Sequence, residues 1–255
     1  IPVAMTMHDD GYDFRRIYKD RVDEILSEID LWGFRNYPMK RTFENAYGKC
    51  AKSYMCFSGV PEEFIQEAKP KDFSSIRRFL YVGLLMKRKH SFELVKALHR
   101  SDVRDFSLDV IGEGNEKYSI EKYIKQYPEL AEKIQLPGRI PRTEVGRIMQ
   151  DAQVFCMISE KEAFGLVYIE AMAAGCITIA SKNEGFDGII EDGFNGFLCE
   201  AGNVEELTNI INRIRNMDKV QLEIISKNAI ATAREMTDKK VAAAYIHDIE
   251  KLLAD

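Results

Sequence analysis

The stretch VFCMISEKEAFGLVYIEAMAAGCITIA, residues 154–180, decides the fold of this chain. Its first five residues are all apolar, as expected of a strand that is buried on both faces. A polar loop leads to Gly165 and to an apolar segment of helical length over 166–174, and residues 176–180 form a second apolar run. A strand, a helix and a strand in this order predict two parallel strands joined by a right-handed crossover.

The same alternation continues on both sides of this unit. Apolar runs predict strands over 78–83, 106–111 and 134–136, and apolar residues at helical spacing predict helices over 91–100, after Thr143 and over 203–214. Thr143 and Asn203 are expected to cap their helices, with Glu206 completing a capping box. Alternating strands and helices predict an α/β fold with a Rossmann-like, doubly wound parallel sheet over residues 61–235.

The first 60 residues predict a second, smaller α/β unit. A strand over 1–7 ends at His8, and a helical stretch over 14–29, a helix over 39–48 and a strand over 52–57 follow. This is too little for an independent doubly wound domain, so we expect a remnant of a larger N-terminal domain. Gly59 and Pro61 mark a hinge at its end, and residues 236–255 are expected to form an amphipathic closing helix.

Composition disfavours several classes of function. With 36 Lys and Arg against 41 Asp and Glu and a net charge of −5, a nucleic-acid-binding surface is not expected. No run of about 18 apolar residues predicts a membrane-spanning helix. Five cysteines without C-x-x-C spacing and scattered histidines predict neither a disulfide framework nor a metal site. We expect a cytoplasmic protein, whose absent N-terminal part would make any peripheral contact with the inner face of a membrane.

Two glutamates bracket the start of the predicted helix after Gly165. The free N–H groups and the dipole of a helix N-terminus attract an anion such as a phosphate, and a glycine there lets the ligand approach closely. Glu162 precedes this point and Glu170 follows it inside an apolar helix, where an unpaired carboxylate would be costly. Carboxylates accept hydrogen bonds from hydroxyl groups. A ligand with polyol, phosphate and polyol in that order is a nucleoside diphosphate sugar.

This arrangement resembles the retaining glycosyltransferases of family 4, which have the GT-B fold. Their Glu-x7-Glu signature is matched by Glu162 and Glu170, within E-x-F-G-L and E-A-M-A-x-G. Further segments follow in the family's order over about residues 52–235: Tyr81-Val-Gly83 through Lys89, Val110-Ile-Gly112-Glu-Gly114, Leu136-Pro-Gly138-Arg139, and Glu191-Asp-Gly193-Phe-Asn-Gly196-Phe-Leu. Several motifs in one order are more specific than any single motif.

The resemblance implies roles for individual residues. Glu170 would accept hydrogen bonds from the ribose, Glu162 would hold a hydroxyl of the donor sugar, and Lys89 would neutralise the diphosphate leaving group. The N–H groups of Phe164 and Gly165 would face the sugar, those of Leu166 and Val167 the diphosphate. Gly83, Arg88 and Gly112 would line the donor site, Arg139 would lie beside the base, and His8 would point at the sugar from the acceptor side. The resemblance implies no metal and no cofactor besides the nucleotide-sugar donor.

Two departures from the family bear on the phosphate contacts. Leu84 stands where the family has an arginine, and His90 stands where it has a glycine. Apart from these two positions, the turn over 184–188 is altered. We expect a sugar to be transferred with retention from a UDP- or GDP-sugar to a glycan or lipid-linked acceptor, in bacterial capsule or surface polysaccharide synthesis. A non-catalytic nucleotide-sugar-binding fragment and a GT-B-like epimerase stay open. Gly112-Glu-Gly114 lacks the third glycine of a dinucleotide fingerprint, which disfavours a dehydrogenase.

Overall fold

The computed structural model describes residues 3–8, 12–66 and 68–254, with only the backbone of residues 12, 13 and 66. The N-terminal unit is a parallel sheet of three strands in the order β1-β2-β3. Its strands are β1 (Ala4–Met7), β2 (Leu31–Phe34) and β3 (Ser53–Met55), and its helices are α1 (Tyr12–Tyr18), α2 (Val22–Glu28) and α3 (Tyr37–Tyr47). The predicted single helical stretch over 14–29 is two helices, because Lys19 has a φ of 48° and a 3₁₀ turn separates them.

The second unit is a parallel sheet of six strands in the order β6-β5-β4-β7-β8-β9. The strands are β4 (Arg78–Val82), β5 (Ser107–Ile111), β6 (Ile134–Gly138), β7 (Val154–Cys156), β8 (Ile177–Ser181) and β9 (Phe197–Cys199). The helices are α4 (Glu62–Gln66), α5 (Ser91–Arg100), α6 (Glu116–Gln126), α7 (Arg142–Asp151), α8 (Leu166–Ala173), α9 (Val204–Asn216), α10 (Lys219–Glu235) and α11 (Asp238–Ala254). The predicted doubly wound α/β fold is confirmed.

The predicted cap at the N-terminus of α9 is present, and the one predicted for α7 is not. Asn203 Oδ1 accepts a hydrogen bond from Glu206 N at 3.0 Å, as predicted. Glu206 does not complete the box, because its carboxylate accepts from Glu200 N at 2.7 Å instead. The prediction for Thr143 is wrong: α7 begins at Arg142, after Pro141, and has no side-chain cap.

Each unit has its own apolar core. The large sheet buries most of the side chains of its central strands, and α8 lies almost wholly inside, between this sheet and α10. In the small unit an aromatic cluster fills the space between helices and sheet, with ring centroids 5.8 Å apart for Phe14 and Trp32 and 4.7 Å for Trp32 and Phe43. Offset and edge-on aromatic pairs of this kind stabilise a core beyond their buried area.

The closing helix α11 connects the two units. Val60 N donates to Met236 O at 2.9 Å, and Asp238 N donates to Val60 O at 3.0 Å. Farther along α11, Tyr245 packs against Tyr54 of β3, with ring centroids 5.4 Å apart. Among the described residues, each helix is too short or too polar to traverse a bilayer.

Candidate functional site

Two loops lie side by side where the strand order of the large sheet reverses. The β4–α5 loop, residues 83–90, follows β4, and the β7–α8 loop, residues 157–165, follows β7. These strands are parallel neighbours, with Phe79 opposite Val154, so both loops leave the same edge of the sheet. In open α/β sheets, ligands bind in the crevice beyond the carboxyl ends of the strands at such a point.

Gly165 allows the β7–α8 loop to turn directly into α8. Its φ of 83° lies in the left-handed region, where residues with a side chain are strained. A Cβ at this position would also lie 2.5 Å from the ring of Tyr168. Gly165 is the N-cap of α8, so the predicted start of this helix is confirmed.

Within the described residues, four consecutive N–H groups at the start of α8 have no protein acceptor. In the part of the chain that the structure describes, the first hydrogen bond of this turn runs from Tyr168 N to Gly165 O, at 3.0 Å. The preceding N–H groups, which receive no backbone or side-chain acceptor there, belong to Phe164, Gly165, Leu166 and Val167. Unpaired donors at the positive end of a helix dipole form an anion site.

Lys89 and Glu162 form an ion pair across the crevice between the two loops. Their side chains are only 12% and 14% exposed, so the pair is largely shielded from solvent. Lys89 ends the 3₁₀ turn Lys87–Lys89, and its backbone N–H donates to Met86 O at 2.8 Å. Two residues for which the sequence predicts separate roles are therefore neighbours, and a cation stands beside the anion-binding helix start.

Several hydrogen bonds hold the β7–α8 loop in place. Ser159 Oγ donates to Glu162 Oε2 at 3.2 Å, and Ser181 Oγ donates to Ser159 O at 2.7 Å. Tyr168 Oη donates to Met157 O at 2.7 Å, and burial raises the pKa of this phenol well above its usual range. Glu162 N donates to Glu184 Oε2 at 2.8 Å, and burial raises the pKa of Glu184. Glu162 is thus held by both its backbone and its side chain.

The second predicted carboxylate, Glu170, is paired with a residue that sequence reasoning missed. Glu170 is buried, with 8% exposure, and its Oε1 accepts a hydrogen bond from Arg142 in the first turn of α7. The Arg142 side chain is 59% exposed, and its guanidinium lies 5.1 Å from the ring centroid of Phe64. The exposed guanidinium of Arg142 therefore pairs with the buried carboxylate of Glu170. This pairing offsets the free energy that burial of an unpaired carboxylate would cost.

The remaining predicted donor-binding residues follow β4, β5 and β6 at the same edge of the large sheet. A Cβ on Gly112, whose φ is 145°, would lie 1.8 Å from Gly83 O, so these two glycines allow neighbouring turns to touch. Arg88 Nη1 donates to Glu160 O at 3.2 Å, which ties Arg88 to the β7–α8 loop. Arg139 is exposed at the end of β6. Contacts of these residues with a donor stay a prediction.

The structure gives a reason for one of the two departures. His90 has a φ of 54°, a left-handed conformation that a glycine adopts without strain. Its Nδ1 lies 3.5 Å from Glu93 Oε2 and its Nε2 lies 3.3 Å from Glu160 Oε1. The Glu93 carboxylate is the main cause that raises the pKa of His90. Glu160 raises this pKa further, whereas partial burial lowers it. Leu84 is 57% exposed, and nothing in the structure explains its replacement of an arginine.

The N-terminal unit reaches the site through the corner between β2 and α3, residues 35–37. Asn36 Nδ2 donates to Ala163 O at 2.5 Å, the guanidinium of Arg35 lies 5.7 Å from the ring centroid of Phe164, and a Cβ on Gly188 would lie 2.6 Å from the ring of Tyr37. His8 is exposed at the end of β1 in the same sheet, and Asp9 lies outside the described residues. The role of His8 stays a prediction.

Asn36 and Arg142 are the polar residues that sequence reasoning missed most clearly. Each carried a weak indication: Asn36 precedes Tyr37-Pro38, and an asparagine before a proline in the first turn is typical of a helix N-cap. Arg142 places a cation at a helix start, where the dipole disfavours it. In the described residues, no three His, Cys, Asp or Glu side chains are arranged to hold a metal ion.

The fold and this crevice define a doubly wound α/β protein with a candidate anion site at its switch point. A family model, glycosyl transferases group 1, matches residues 63–232, and the chain belongs to this family. Among curated proteins, the alpha-monoglucosyldiacylglycerol synthase of Acholeplasma laidlawii is 32% identical in an alignment of 191 positions that covers 71% of this chain and 47% of that protein. The phosphatidyl-myo-inositol mannosyltransferase of Mycobacterium leprae is 29% identical, over 59% of this chain and 39% of that protein.

Solved structures confirm the fold. HepE of Anabaena, crystallised in complex with UDP, superimposes with a TM-score of 0.78 at 21% identity, over 100% of this chain and 72% of that one. The pneumococcal O-GlcNAc transferase GtfA, in complex with UDP and GlcNAc, gives a TM-score of 0.73 at 20% identity, over 100% of this chain and 53% of that one. The chain spans about half the length of the first curated relatives it matches.

Proposed function

We propose that this chain binds a UDP- or GDP-sugar and transfers the sugar, with retention of its anomeric configuration, to a glycan or lipid-linked acceptor. The observation that carries the proposal is the ion pair of Lys89 and Glu162 beside the unpaired N–H groups that begin α8. A diphosphate at the helix start would draw Lys89 toward its developing negative charge. Glu162 would then be released to accept a hydrogen bond from a hydroxyl of the sugar.

Departure of the nucleoside diphosphate is the step that these groups assist. As the bond between the anomeric carbon and the phosphate oxygen breaks, negative charge grows on the diphosphate. The N–H groups of Leu166 and Val167 and the ammonium of Lys89 would stabilise that charge from fixed positions, which is the most effective form of electrostatic catalysis. The acceptor hydroxyl would attack the same face of the sugar and give its proton to the departing phosphate oxygen, which gives retention without a protein nucleophile. His8 would face the sugar from the acceptor side.

The nucleoside end of the donor would lie against α7 and α8. Glu170 would accept hydrogen bonds from the ribose hydroxyls, with Arg142 exchanging its present contact for the ligand. The named relatives favour a lipid-linked acceptor, since their names contain diacylglycerol and phosphatidyl-inositol. A glycan acceptor in bacterial surface polysaccharide synthesis agrees with the same donor chemistry. We place the reaction in the cytoplasm, at the inner face of the membrane.

A nucleotide screen tests the donor site. The melting temperature of the chain is measured with UDP, GDP and ADP and with UDP-glucose, UDP-N-acetylglucosamine, UDP-galactose and GDP-mannose. A ligand at 100 times its Kd stabilises the folded state by about 2.7 kcal/mol, which is a clear shift. We expect one nucleotide and at least one of its sugars to raise the melting temperature. No shift with any compound at millimolar concentration would overturn the proposal.

A second candidate is a nucleotide-sugar-binding module without transferase activity, because Lys89, Glu162, Glu170 and the helix start all lie in the unit of the large sheet. The two candidates differ in turnover. Release of free nucleoside diphosphate from a bound donor, followed in the presence of lipid and glycan acceptors, supports the transferase. The anomeric configuration of the product, read by NMR from the coupling constant of the anomeric proton, decides whether the transfer proceeds with retention. Binding without any release supports the module.

A further inference from the structure

Asn36 joins the N-terminal unit to the loop that begins the anion site. It lies between β2 and α3 and is 3% exposed. Its Oδ1 accepts a hydrogen bond from Met39 N at 2.6 Å, which caps α3. Its Nδ2 donates to Ala163 O at 2.5 Å, across 127 residues of sequence. One side chain therefore starts a helix in one unit and holds a backbone carbonyl in the other.

The chemistry of the two partners fixes the orientation of this amide. Met39 N is a donor, so the atom facing it must be the carbonyl oxygen of Asn36. Ala163 O is an acceptor, so the atom facing it must be the amide nitrogen. Rotating the amide by half a turn would place Nδ2 opposite Met39 N, a donor facing a donor. It would also place Oδ1 opposite Ala163 O, an acceptor facing an acceptor. An aspartate at this position could cap α3 but could not donate to Ala163.

The carbonyl of Ala163 and the N–H of Phe164 belong to one peptide group. A trans peptide is planar, and its C=O and N–H point in opposite directions. Because Asn36 holds the C=O, the N–H of Phe164 must point away from it, and no described residue accepts that N–H. The backbone of Gly185 lies against this loop, where an added Cβ would lie 2.9 Å from Phe164 Cα, so one end of the peptide is confined and the hydrogen bond from Asn36 sets its direction.

We propose that Asn36 is a positioning residue that aims the N–H of Phe164 at the donor sugar. This inference rests on the proposed function, in which that N–H faces the sugar and those of Leu166 and Val167 face the diphosphate. Asn36 thereby makes recognition of the sugar depend on the docked N-terminal unit, while recognition of the nucleotide depends on the large sheet alone.

The variant Asn36→Asp tests the proposal, because it keeps the cap of α3 and places a carboxylate oxygen, which cannot donate, opposite Ala163 O. Asn203→Asp is the matched control: it keeps the cap of α9 and removes the hydrogen bond from Asn203 Nδ2 to Glu200 Oε2, at 2.9 Å. The first measurement is calorimetry with UDP and GDP and with their sugars. One lost hydrogen bond corresponds to a factor of about 2 to 12. We expect Asn36→Asp to lower the affinity for the nucleotide sugar by such a factor and the affinity for the bare nucleotide by less than twofold.

The proposal would be overturned if Asn36→Asp lowered the affinities for the nucleotide sugar and the bare nucleotide equally, or lowered neither. The same selective effect in Asn203→Asp would also overturn it. The second measurement is the crystal structure of ligand-free Asn36→Asp, which needs no nucleotide. We expect the carbonyl of Ala163 to have turned away from residue 36. An unchanged peptide would overturn the inference whatever binds, whereas failure of the unaltered chain to bind any nucleotide would overturn the proposed function. Asn36→Ser, which still caps α3 but is too short to reach Ala163, replaces Asn36→Asp if that variant does not fold.

Discussion

The guanidinium of Arg142 forms an ion pair with the carboxylate of Glu170, so that an exposed cation of α7 binds a buried anion of α8. Glu170 follows the free N–H groups along the chain, about one turn into α8, and Glu162, the partner of Lys89, precedes them. The crevice is therefore bounded by two carboxylates, each with a cation of its own. A ligand that needs the carboxylates must compete with both cations, and one that carries a diphosphate can attract them instead.

Glu170→Ala is expected to weaken binding of the nucleotide about tenfold to a hundredfold, because hydrogen bonds to a charged group contribute about 1.5–3 kcal/mol. Calorimetry with the nucleotide that gives the largest thermal shift measures this. Glu144→Ala, an exposed carboxylate in the same turn as Arg142, is the control and should leave the affinity unchanged. Unaltered affinity of Glu170→Ala for every nucleotide would show that the ribose lies elsewhere.

Lys89→Met is expected to lower kcat/KM for transfer or donor hydrolysis by about a hundredfold or more, the usual effect of removing one group that stabilises a developing anion. Lys87→Met, an exposed lysine in the same 3₁₀ turn, should have little effect. The single change also leaves Glu162 without its partner, which lowers stability. The double variant Lys89→Met with Glu162→Gln separates the two effects: stability returns and activity does not. Recovery of activity in the double variant would make the pair purely structural.

Gly165→Ala is expected to destabilise the chain by about 1–3 kcal/mol, because the left-handed backbone strains any residue with a Cβ. The Cβ would also collide with Tyr168. Gly146→Ala is the matched control, since an added Cβ in the middle of α7 meets nothing within 4 Å. It should stabilise the chain by about 0.5–1 kcal/mol. Urea unfolding measures both, and equal effects would contradict the assigned strain.

His90 should make stability depend on pH. Its pKa is raised in the folded chain, chiefly by Glu93. The contribution is therefore fully present below the unfolded pKa of about 6.5 and is lost as the pH rises through the folded pKa. We expect His90→Asn, which tolerates the left-handed backbone, to be less stable than the unaltered chain at about pH 6 and to approach it at about pH 9. Urea midpoints at several pH values measure this, with exposed His247→Asn as control; a difference that grows with pH would contradict the sign.

The sequence predicts the parts of the site that depend on neighbours in the chain. Apolar runs and the glycine before α8 are local features, and they place Glu162, Gly165 and Glu170 correctly along one loop and one helix. The contacts of Asn36 with Ala163 and of Arg142 with Glu170 were not predictable, because they join residues 127 and 28 positions apart on different elements. The capping box of α9 fails for the same reason. The N–H of Glu200, which follows β9, donates to the carboxylate of Glu206, and this contact is not visible from the motif itself.

The pairing of β4 with β7 has a consequence for how the molecule folds. Lys89 and Glu162 are 73 residues apart, and β5 and β6 lie between them in sequence and to one side of β4 in the sheet. Such a non-local contact forms late, because the intervening segment must close as a loop first. A partly folded chain with its first strands assembled would have no binding crevice. A nucleotide held there would slow unfolding of the whole sheet rather than of one loop, so that the ligand reports on completed assembly.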